Sequence, residues 1–589
     1  MTTTSNTIGI VQFLTKVPAL LPDSPRMLKD VVSLSLRRAS SKDSIGLVFQ
    51  RRAAQFPDRP FIRFQGHAIS YRDANVRVNR YAHVLAERGV QRGDVVGLLL
   101  TNTPETLLLV LAAVKLGAAA GMLNYNQRGE VLAHSLGLLE SRLVIVGADC
   151  QDAVDSVDGD LRAPTLSLDE LNELAAHADS SNPAAVAEVD GTDRAYLIFT
   201  SGTTGMPKAS VMKQLRWLKG MDGVGGLGVR LRGDDTLYCT LPLYHNNALT
   251  VALGAVLSAG CTYAIGTHFS ASKFWDDCKL NKATAFIYIG ELCRYLLNQP
   301  AKPSDADNAI HTIVGNGMRP EIWDEFKKRF GVKRVAEFYG ASEGNIAFVN
   351  ALNFDRTAGI CPLPHAIVDY DDDEGVAKRD AQGRLHRVRR GDVGLLLAKV
   401  TDRAPFDGYT DPAASEKKLV RNAFADGDVW FDTGDLVRNQ GLLHVAFVDR
   451  LGDTFRWKGE NVATTEVEGA IGALDGVSQA VVFGVEVPDT GGKAGMAAVT
   501  LHEGAQFDGK SWAGALYDAL PSYAVPLFVR VVDTLETTTT FKSRKVDLRK
   551  TGYGAGEGEL YVLRGREGGY EPFYDDYPAD VAAGKAPRG

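Results

Sequence analysis

A run of hydroxyl and glycine residues ending in a lysine follows a short apolar stretch, since residues 196–210 read YLIFTSGTTGMPKAS. A polyphosphate needs backbone N–H groups that can approach closely, hydroxyl donors and a cation. The loop offers all three, in Thr200, Ser201, Gly202, Thr203, Thr204, Gly205 and Lys208. A Ser/Thr/Gly surface turn would explain this composition but not the Pro207-Lys208 pair that ends it. The pattern therefore predicts a phosphate-binding loop.

A second group of polar residues, FYGASEG at 338–344, permits two kinds of chemistry. GASEG fits the nucleophile elbow of a serine hydrolase, with Ser342 as nucleophile, but an elbow leads into a helix and the following NIAFV is typical of a strand. In a nucleotide site, Tyr339 and Gly340 would lie against a purine, Ser342 would donate to a phosphate, and Glu343 would ligate Mg²⁺. The nucleotide interpretation uses more of these residues, and the hydrolase remains the alternative of another class.

Two other glycine patterns match nucleotide motifs but predict something else. GAQFDGKS at 504–511 satisfies the Walker-A pattern, yet Asp508 would put a negative charge inside the phosphate cradle. We predict instead that Asp508 is the N-cap of a helix. GVGGLG at 223–228 satisfies the dinucleotide fingerprint, but it follows a helical pattern and no acidic residue stands about 20 positions further on. We predict a flexible loop there.

The elements that must position these residues alternate between helix and strand. The pattern predicts helix at 45–55, strand at 61–64, helix at 71–88 and strand at 95–100, and a strand feeds the phosphate-binding loop. Residues 107–123 are the most apolar segment, and we predict a buried helix that begins at Thr103 and Pro104 and stops near Gly117. Such alternation indicates an α/β fold.

Length, composition and charge describe a folded protein of more than one domain. The chain has 589 residues, of which 45% are hydrophobic and 23% charged, and its net charge is −7. Because one core seldom grows beyond about 300 residues, at least two packed units are expected. The charge balance gives no reason to expect a nucleic-acid partner.

The cysteines and the first residues bear on location. Six cysteines are scattered singly, as expected of reduced thiols in the cytoplasm. The opening MTTTSN lacks the features of a signal peptide. Residues 8–36 mix apolar side chains with Lys16, Arg26 and Lys29, and three prolines interrupt any long helix. We predict a cytoplasmic protein, with peripheral contact at the inner face of the membrane left open and the oligomeric state undetermined.

Two segments carry a resemblance to known proteins. TSGTTGMPK, at 200–208, resembles the signature of the adenylate-forming superfamily, and DTFRWKGENVATTEVEG, at 453–469, resembles that of the fatty acid transport protein and very-long-chain acyl-CoA synthetase branch. The resemblance extends from about Ile45 onward. It implies a large N-terminal domain of α/β subdomains, residues 1–449, and a small mobile α+β C-terminal domain, residues 450–589. The hinge would lie at 450–453, with Gly452 at the usual hinge position.

The resemblance also implies roles for individual residues. Asn316 and Gly317 would lie along the adenine, Asp435 would bind the ribose hydroxyls with Arg450 nearby, and Gly459 would line the path of the coenzyme A thiol. His245, in LPLYHNNALTVALGAV at 241–256, would gate the acyl site.

The implied activity is an ATP-dependent long- or very-long-chain fatty acyl-CoA synthetase that works through an acyl adenylate, with Mg²⁺ on Glu343 and coenzyme A as co-substrate. Lys208 and a C-terminal lysine would share the developing charge. In LETTTTFKSRKVDL, at 535–548, an ungapped alignment puts Lys542 at the catalytic position, with Lys545 as the alternative. Alternatives are a fatty acyl-AMP ligase that serves a carrier protein, and an enzyme that traps imported fatty acid at the membrane.

Overall fold

The structure is a computed structural model that describes residues 7–159, 161–201, 206–340, 344–371, 375–406, 408, 412–458, 460–490, 492–535, 545–554 and 556–587. The alternation of helix and strand predicted from the sequence is confirmed. Helices Ile45–Gln55 and Tyr71–Glu87 and strands Pro60–Phe64 and Val95–Leu99 fall where they were expected. The fold is therefore α/β in its first part.

The phosphate-binding loop belongs to a mostly parallel sheet. In spatial order its strands are Thr165–Ser167, Leu143–Val146, Val95–Leu99, Ala119–Met122, Arg194–Ser201 and Pro207–Lys213. The first five are parallel, and the last turns back antiparallel to its neighbour. Most residues of these strands are apolar and buried, which is typical of a parallel sheet that is covered on both faces.

A larger mixed sheet carries the other predicted nucleotide residues. Its parallel part consists of Pro60–Phe64, Thr262–Ile265, Thr236–Cys239, Ala285–Ile289, Thr312–Asn316 and Arg334–Gly340, with His67–Ser70 antiparallel at the edge. It continues antiparallel through Ala347–Val349, Gly359–Ile360, His444–Arg450, Val429–Gly441, Val393–Lys399 and His365–Val368, with Leu419–Arg421 beside Val429–Gly441. A separate hairpin pairs Tyr370–Asp371 with Val376–Ala377.

Helices surround these sheets. The remaining α-helices before residue 450 are Ile10–Lys16, Ser24–Leu36, Pro104–Lys115, Gly129–Leu139, Gln151–Asp155, Leu168–His177, Gln214–Gly220, Leu253–Ala259, Phe274–Leu280, Gly290–Leu297, Trp323–Phe330 and Pro412–Glu416. The 3-10 helices are Val17–Asp23, Ala148–Cys150 and Ala184–Ala187. None of the described helices has both the length and the hydrophobicity that crossing a bilayer requires.

The helix predicted in the apolar segment 107–123 is confirmed, and it ends before Gly117 as expected. Thr103 caps helix Pro104–Lys115 by accepting from the Thr106 amide, and Gly117 follows the helix with φ of +75°. The second half is a buried parallel strand, Ala119–Met122. The sequence did not predict this strand, because a fully buried helix and a fully buried parallel strand have the same continuous apolar pattern.

The prediction of a flexible loop at GVGGLG was wrong. These residues lie in a π-helix, Met221–Val229, that continues helix Gln214–Gly220. The glycines permit close packing, because a Cβ atom on Gly225 would lie 3.0 Å from Ala255 Cα and one on Gly226 would lie 2.4 Å from Asp30 Oδ2. The glycine pattern therefore reflects helix packing, which has the same sequence signature as a loop.

The C-terminal part has its own core. The sheet Val477–Glu486, Lys493–Leu501, Phe528–Val531, Glu559–Gly565 and Gly569–Pro572 packs with helices Thr464–Gly472, Gly509–Ala519, Lys545–Thr551 and Tyr577–Ala582, and Phe455–Trp457 pairs with Glu460–Val462. Its buried cluster draws only on residues 455–586, whereas the other clusters draw on residues up to Leu451. As predicted, Asp508 is an N-cap, and its carboxylate accepts from the Lys510 and Ser511 amides.

Candidate functional site

The phosphate-binding loop joins two antiparallel strands. Thr200 lies opposite Lys208, and Ser201 lies opposite Pro207. Gly202, Thr203, Thr204 and Gly205, which complete the predicted loop, lie outside the described residues. The hairpin therefore fixes the backbone on both sides of the loop and places Lys208 at the start of the returning strand.

Tyr339 and Asp435 meet where the two parts of the larger sheet join. The Tyr339 hydroxyl donates to Asp435 Oδ2 at 2.6 Å, and burial together with the neighbouring carboxylate raises the pKa of Tyr339 well above its usual value. Asp435 is paired in register with Arg450 on the next strand, and Arg450 Nε lies 3.9 Å from Asp435 Oδ1. The structure thus brings together Tyr339, Asp435 and Arg450, while Gly340 ends the Tyr339 strand. Ser342 and Glu343 lie outside the described residues.

A buried carboxyl group beneath Asn316 and Gly317 was not anticipated from the sequence. The Gly317 and Met318 amides donate to Glu337 Oε1 at 2.6 and 3.2 Å, and the Tyr288 hydroxyl donates to Glu337 Oε2. Burial raises the pKa of Glu337 to about 8, against the opposing effect of these three donors. Its signal in the sequence is an acid inside the apolar strand RVAEFYG. Glu337 holds the turn after Asn316, where Gly317 has φ of +80°.

The predicted acyl loop contacts this turn directly. Asn247 Nδ2 donates to Asn316 Oδ1 at 2.8 Å. Asn247 begins a second π-helix, Asn247–Ala252, which leads into helix Leu253–Ala259. Because π-helical turns are frequent at functional sites, this geometry supports a ligand-binding role for the loop.

His245 stands just before that π-helix. Its ring lies 4.6 Å from the Tyr244 ring, centroid to centroid, and its backbone amide donates to Pro242 O at 3.1 Å. The residues behind it, Ala248, Leu249 and Ala252, are fully buried. Trp217 Nε1 donates to Leu249 O at 2.8 Å and so fixes the second π-helix against the helix that precedes the first.

The chain after Arg450 leads into the C-terminal domain. Asp449 is buried, and its carboxylate accepts from the Thr464 amide at 2.6 Å and the Thr464 hydroxyl at 2.9 Å. Burial raises the pKa of Asp449. A Cβ atom on Gly452 would meet no atom within 4 Å, so this position lies in open space. Gly459 lies outside the described residues.

Of the two candidate lysines, Lys545 lies within the described residues. Lys542 lies outside the described residues. Lys545 begins helix Lys545–Thr551, and its ammonium group donates to the Thr464 hydroxyl at 2.7 Å and pairs with Glu468 Oε1 at 2.9 Å. In this arrangement Lys545 is engaged inside the C-terminal domain.

A polar contact also joins the two domains near the site. Arg319 Nη2 lies 3.3 Å from Glu468 Oε2 and 3.5 Å from Glu291 Oε1. Arg319 follows Gly317 by two residues, so the turn beside the predicted adenine site is connected to helix Thr464–Gly472. Glu468 itself is bound from both sides, by Arg319 and by Lys545.

The described residues contain no group of three or more His, Cys, Asp or Glu side chains placed to hold a metal ion. Glu343, the predicted magnesium ligand, is outside them. The six cysteines are free, as predicted, and all of them are buried.

Comparison with known proteins decides the family. The AMP-binding enzyme family matches residues 49–390, and the AMP-binding enzyme C-terminal domain matches residues 466–542. The chain belongs to the AMP-binding enzyme family. The ATP-bound MatB structure from Rhodopseudomonas palustris has a similar fold, with a TM-score of 0.72 to this chain. The two sequences are 25% identical, and the match covers 86% of this chain and 98% of the MatB chain.

Full-length relatives place the chain within the AMP-binding enzymes. It is 56% identical over 587 residues to the medium/long-chain-fatty-acid–CoA ligase FadD6 of Mycobacterium tuberculosis, which covers 99% of this chain and 98% of the relative. It is 37% identical over 558 residues to long-chain fatty acid transport protein 2 of Rattus norvegicus, and the match covers 90% of this chain and 89% of the relative. The resemblance to the adenylate-forming superfamily and to its fatty acid transport protein branch is confirmed. The segment after GASEG forms a strand, Ala347–Val349, which disfavours a hydrolase elbow at Ser342.

Proposed function

We propose that this chain is an ATP-dependent fatty acid–CoA ligase that forms an acyl adenylate and then the acyl-CoA thioester. The main support is the 56% identity to a medium/long-chain-fatty-acid–CoA ligase over almost the whole chain. Other relatives are long-chain fatty acid transport proteins, which supports a long-chain acid as substrate and a link to fatty acid uptake.

The first step joins the acid to the nucleotide. A carboxylate oxygen attacks the α-phosphorus of ATP, and the bond to the bridging oxygen breaks to release pyrophosphate. Nucleotidyl transfer needs positioning and charge neutralisation more than covalent help. We assign the phosphates to Thr200–Gly205, Lys208 and Ser342, and the developing charge to Lys208 and Lys542.

The nucleoside would be held where the two parts of the larger sheet join. The contact between Tyr339 and Asp435 supports a ribose site at that carboxylate, because the hydroxyl donor fixes the orientation of Asp435. Arg450 is its neighbour in register, and the turn at Asn316 and Gly317, with Gly340, would lie along the adenine. Glu343 offers the kind of oxygen ligand that Mg²⁺ prefers, and the ion would supply positive charge to the phosphate oxygens when bound.

The second step needs a different environment around the same atoms. The thiol sulfur of coenzyme A attacks the acyl carbon, AMP leaves with the oxygen, and the thiol proton passes to solvent. We propose domains at 1–449 and 450–589 with a hinge at 450–453, where the change of hydrophobic core supports the boundary. Gly459 would line the thiol path after rotation, and His245 would gate the acyl site.

We place the reaction in the cytoplasm, with peripheral contact at the inner face of the membrane. Six free, buried cysteines support a reducing compartment.

Coenzyme A-dependent AMP release tests the proposal. Purified protein is assayed with ATP and fatty acids of graded length, as wild type, Lys542→Ala and Lys545→Met. Equal amounts of AMP and acyl-CoA from wild type, with adenylation lost in Lys542→Ala alone, are expected. If acyl adenylate accumulates and its amount does not change when coenzyme A is added, the result would favour transfer to a carrier protein instead. Ester cleavage without ATP would restore the hydrolase.

A further inference from the structure

The most unusual surface of the protein lies at its N-terminal end. Nine of the sixteen large hydrophobic side chains that the described part of the chain leaves exposed fall between residues 10 and 36. We call this surface the N-terminal face, and it consists of Ile10, Val11, Leu14, Val17, Leu21, Leu28, Val31, Val32 and Leu36. Exposed apolar side chains concentrated in this way indicate an interaction site.

Helix Ser24–Leu36 is amphipathic in the reverse of the usual sense. Its stripe of Leu28, Val31, Val32 and Leu36 faces solvent, at the spacing of one helix face. On the opposite side Asp30 is buried, and the Ser33 hydroxyl donates to Asp222 Oδ2 at 2.8 Å. The polar side therefore packs on the protein, and the apolar side is left for something outside it.

The N-terminal face is fixed to the body of the protein. The Ile8 amide donates to Gln440 O at 2.8 Å, Lys16 Nζ donates to Asn353 O at 3.1 Å, and Arg37 pairs with Asp222 and Asp43. These contacts hold residues 8–37 as a preformed surface.

The charges around this surface identify the occupant. Residues 8–39 contain five basic and two acidic residues, a net charge of +3, whereas the whole chain carries −7. The exposed charged side chains among them, Lys29 and Arg38, are both basic, and Asp23 is paired with Arg230. A cavity of about 240 Å³ at the end of helix Ser24–Leu36 has a mixed lining of leucine, arginine, serine and aspartate side chains, among them Arg37, Arg38 and Asp43. Aliphatic side chains bordered by basic ones suit a bilayer interface with anionic headgroups.

We propose that the N-terminal face docks on the surface of a bilayer that contains anionic lipids. The aliphatic side chains enter the boundary between headgroups and acyl chains, and Lys29 and Arg38 contact the headgroups. Docking assigns a defined surface of the proposed ligase to the membrane. It rests on the proposed function only in one respect, the fatty acid substrate that the enzyme would meet at the bilayer. The first π-helix, Met221–Val229, lies directly behind the N-terminal face and packs through Gly225 on Ala255, next to the predicted acyl loop. A long-chain acid dissolved in the bilayer would therefore be held close to the site that consumes it.

Vesicle sedimentation with the full chain tests docking independently of catalysis. Vesicles of phosphatidylcholine alone are compared with vesicles that also contain phosphatidylglycerol. We expect wild type to bind the anionic vesicles, and Leu14→Gln/Leu21→Gln/Leu28→Gln to lower the partition coefficient at least about tenfold. The matched control, Leu174→Gln/Leu280→Gln/Leu443→Gln, removes three exposed leucines elsewhere and should bind as wild type does.

A second variant preserves the apolar surface. Lys29→Gln/Arg38→Gln should lower binding to anionic vesicles about tenfold and remove most of its salt dependence. Wild type that fails to bind anionic vesicles would overturn the proposal, and so would equal loss of binding in the control variant. A concentration-dependent dimer that only the Leu14/Leu21/Leu28 variant abolishes, without vesicle binding, would assign the surface to a second copy of the chain.

Activity separates docking from the ligase function. For a long-chain acid presented in anionic vesicles, kcat/KM should fall in the Leu14/Leu21/Leu28 variant, while a shorter, water-soluble acid should be ligated within about twofold of wild type. Equal losses with both acids would overturn the supply role. Absence of acyl-CoA formation by wild type would contradict the proposed function, and the vesicle measurements would still decide docking.

Discussion

Replacement of Glu337 by glutamine should change how the stability of the protein depends on pH. Glutamine has nearly the same shape, its carbonyl oxygen can accept from the Gly317 and Met318 amides, and its amide group can donate to the Tyr288 oxygen. The variant Glu337→Gln therefore keeps the turn in place and removes only the titrating proton. Any effect that depends on pH then comes from the carboxyl group itself.

The magnitude follows from the raised pKa. The pKa of Glu337 is about 8 in the folded protein, against a usual 4.5, so the native state keeps a proton that the unfolded chain releases between these values. The carboxyl group thus contributes stability that is fully present below pH 4.5 and is lost as pH rises through 8. At about 1.4 kcal/mol for each pH unit, wild type loses about 5 kcal/mol over this range, and Glu337→Gln loses none of it.

Thermal unfolding of both proteins across pH provides the assay. Other titrating groups are common to the two proteins, so the difference in Tm isolates Glu337. About 3 kcal/mol of the difference falls between about pH 5.5 and 8.5. At about 2.1 cal/mol/K for each residue of a domain of about 450 residues, we expect the Tm of Glu337→Gln, relative to wild type, to rise by about 3 °C over this interval. Tyr288→Phe is the control, because it removes a donor but keeps the carboxyl group and hence the pH dependence.

A constant difference in Tm across this range would refute the reasoning. It would mean that the carboxyl group is already ionised in the folded protein at pH 5.5, so that its three donors outweigh its burial.

Three further outcomes follow from single contacts. Tyr339→Phe removes the donor to Asp435, and a hydrogen bond to a charged group contributes about 1.5–3 kcal/mol. In an assay of AMP release, KM for ATP should therefore rise about tenfold or more, with kcat nearly unchanged. An unchanged KM would contradict a ribose site at Asp435. Lys545→Met leaves Glu468 without its ammonium partner and should lower the free energy of unfolding of the C-terminal domain by about 3 kcal/mol, as measured by thermal unfolding. The rate of exchange between pyrophosphate and ATP should stay within severalfold of wild type. Loss of this exchange would move the catalytic role from Lys542 to Lys545. Lys115→Met removes the donor to Asn75, Asn79 and Asn182 and should cost about 2–4 kcal/mol near pH 7. Burial lowers the pKa of Lys115 to about 7, so wild type should gain stability as pH rises from 7 to 10.5, a gain that the methionine variant lacks.

Local patterns in the sequence predicted the elements whose signals are themselves local. Thr103 and Asp508 were recognisable as caps because a hydroxyl or carboxylate before helix-forming residues satisfies orphan amides wherever the helix lies. Residues 119–122 were left unassigned and residues 223–228 were assigned wrongly, because their structure depends on neighbours distant in the sequence. A strand is favoured at Ala119–Met122 by pairing with Val95–Leu99, and a π-helix is favoured at Met221–Val229 by packing on Asp30 and Ala255.

The candidate site divides in the same way. Motif letters were enough to select Tyr339, Asp435 and Arg450, which the folded chain brings together. Glu337 and Asn247 could not be selected, because their roles come from contacts with Gly317 and Asn316 across strands and loops. The inverted helix Ser24–Leu36 was likewise invisible as such, since a hydrophobic stripe alone does not show which side faces the protein.

The π-helix Met221–Val229 lies between helix Ser24–Leu36 and the predicted acyl loop, and its glycines let its backbone pack closely against both. A methyl group added at Gly225 would already lie 3.0 Å from Ala255 Cα, so an alanine there would shift the acyl loop by a few tenths of an ångström. Gly254 is similar, with its Cβ position 3.3 Å from Met221 Cα. A substitution at Gly225 would therefore displace the predicted acyl loop from behind, with every side chain of that loop left unchanged, and under the proposed function this offers a route to altered chain-length selectivity.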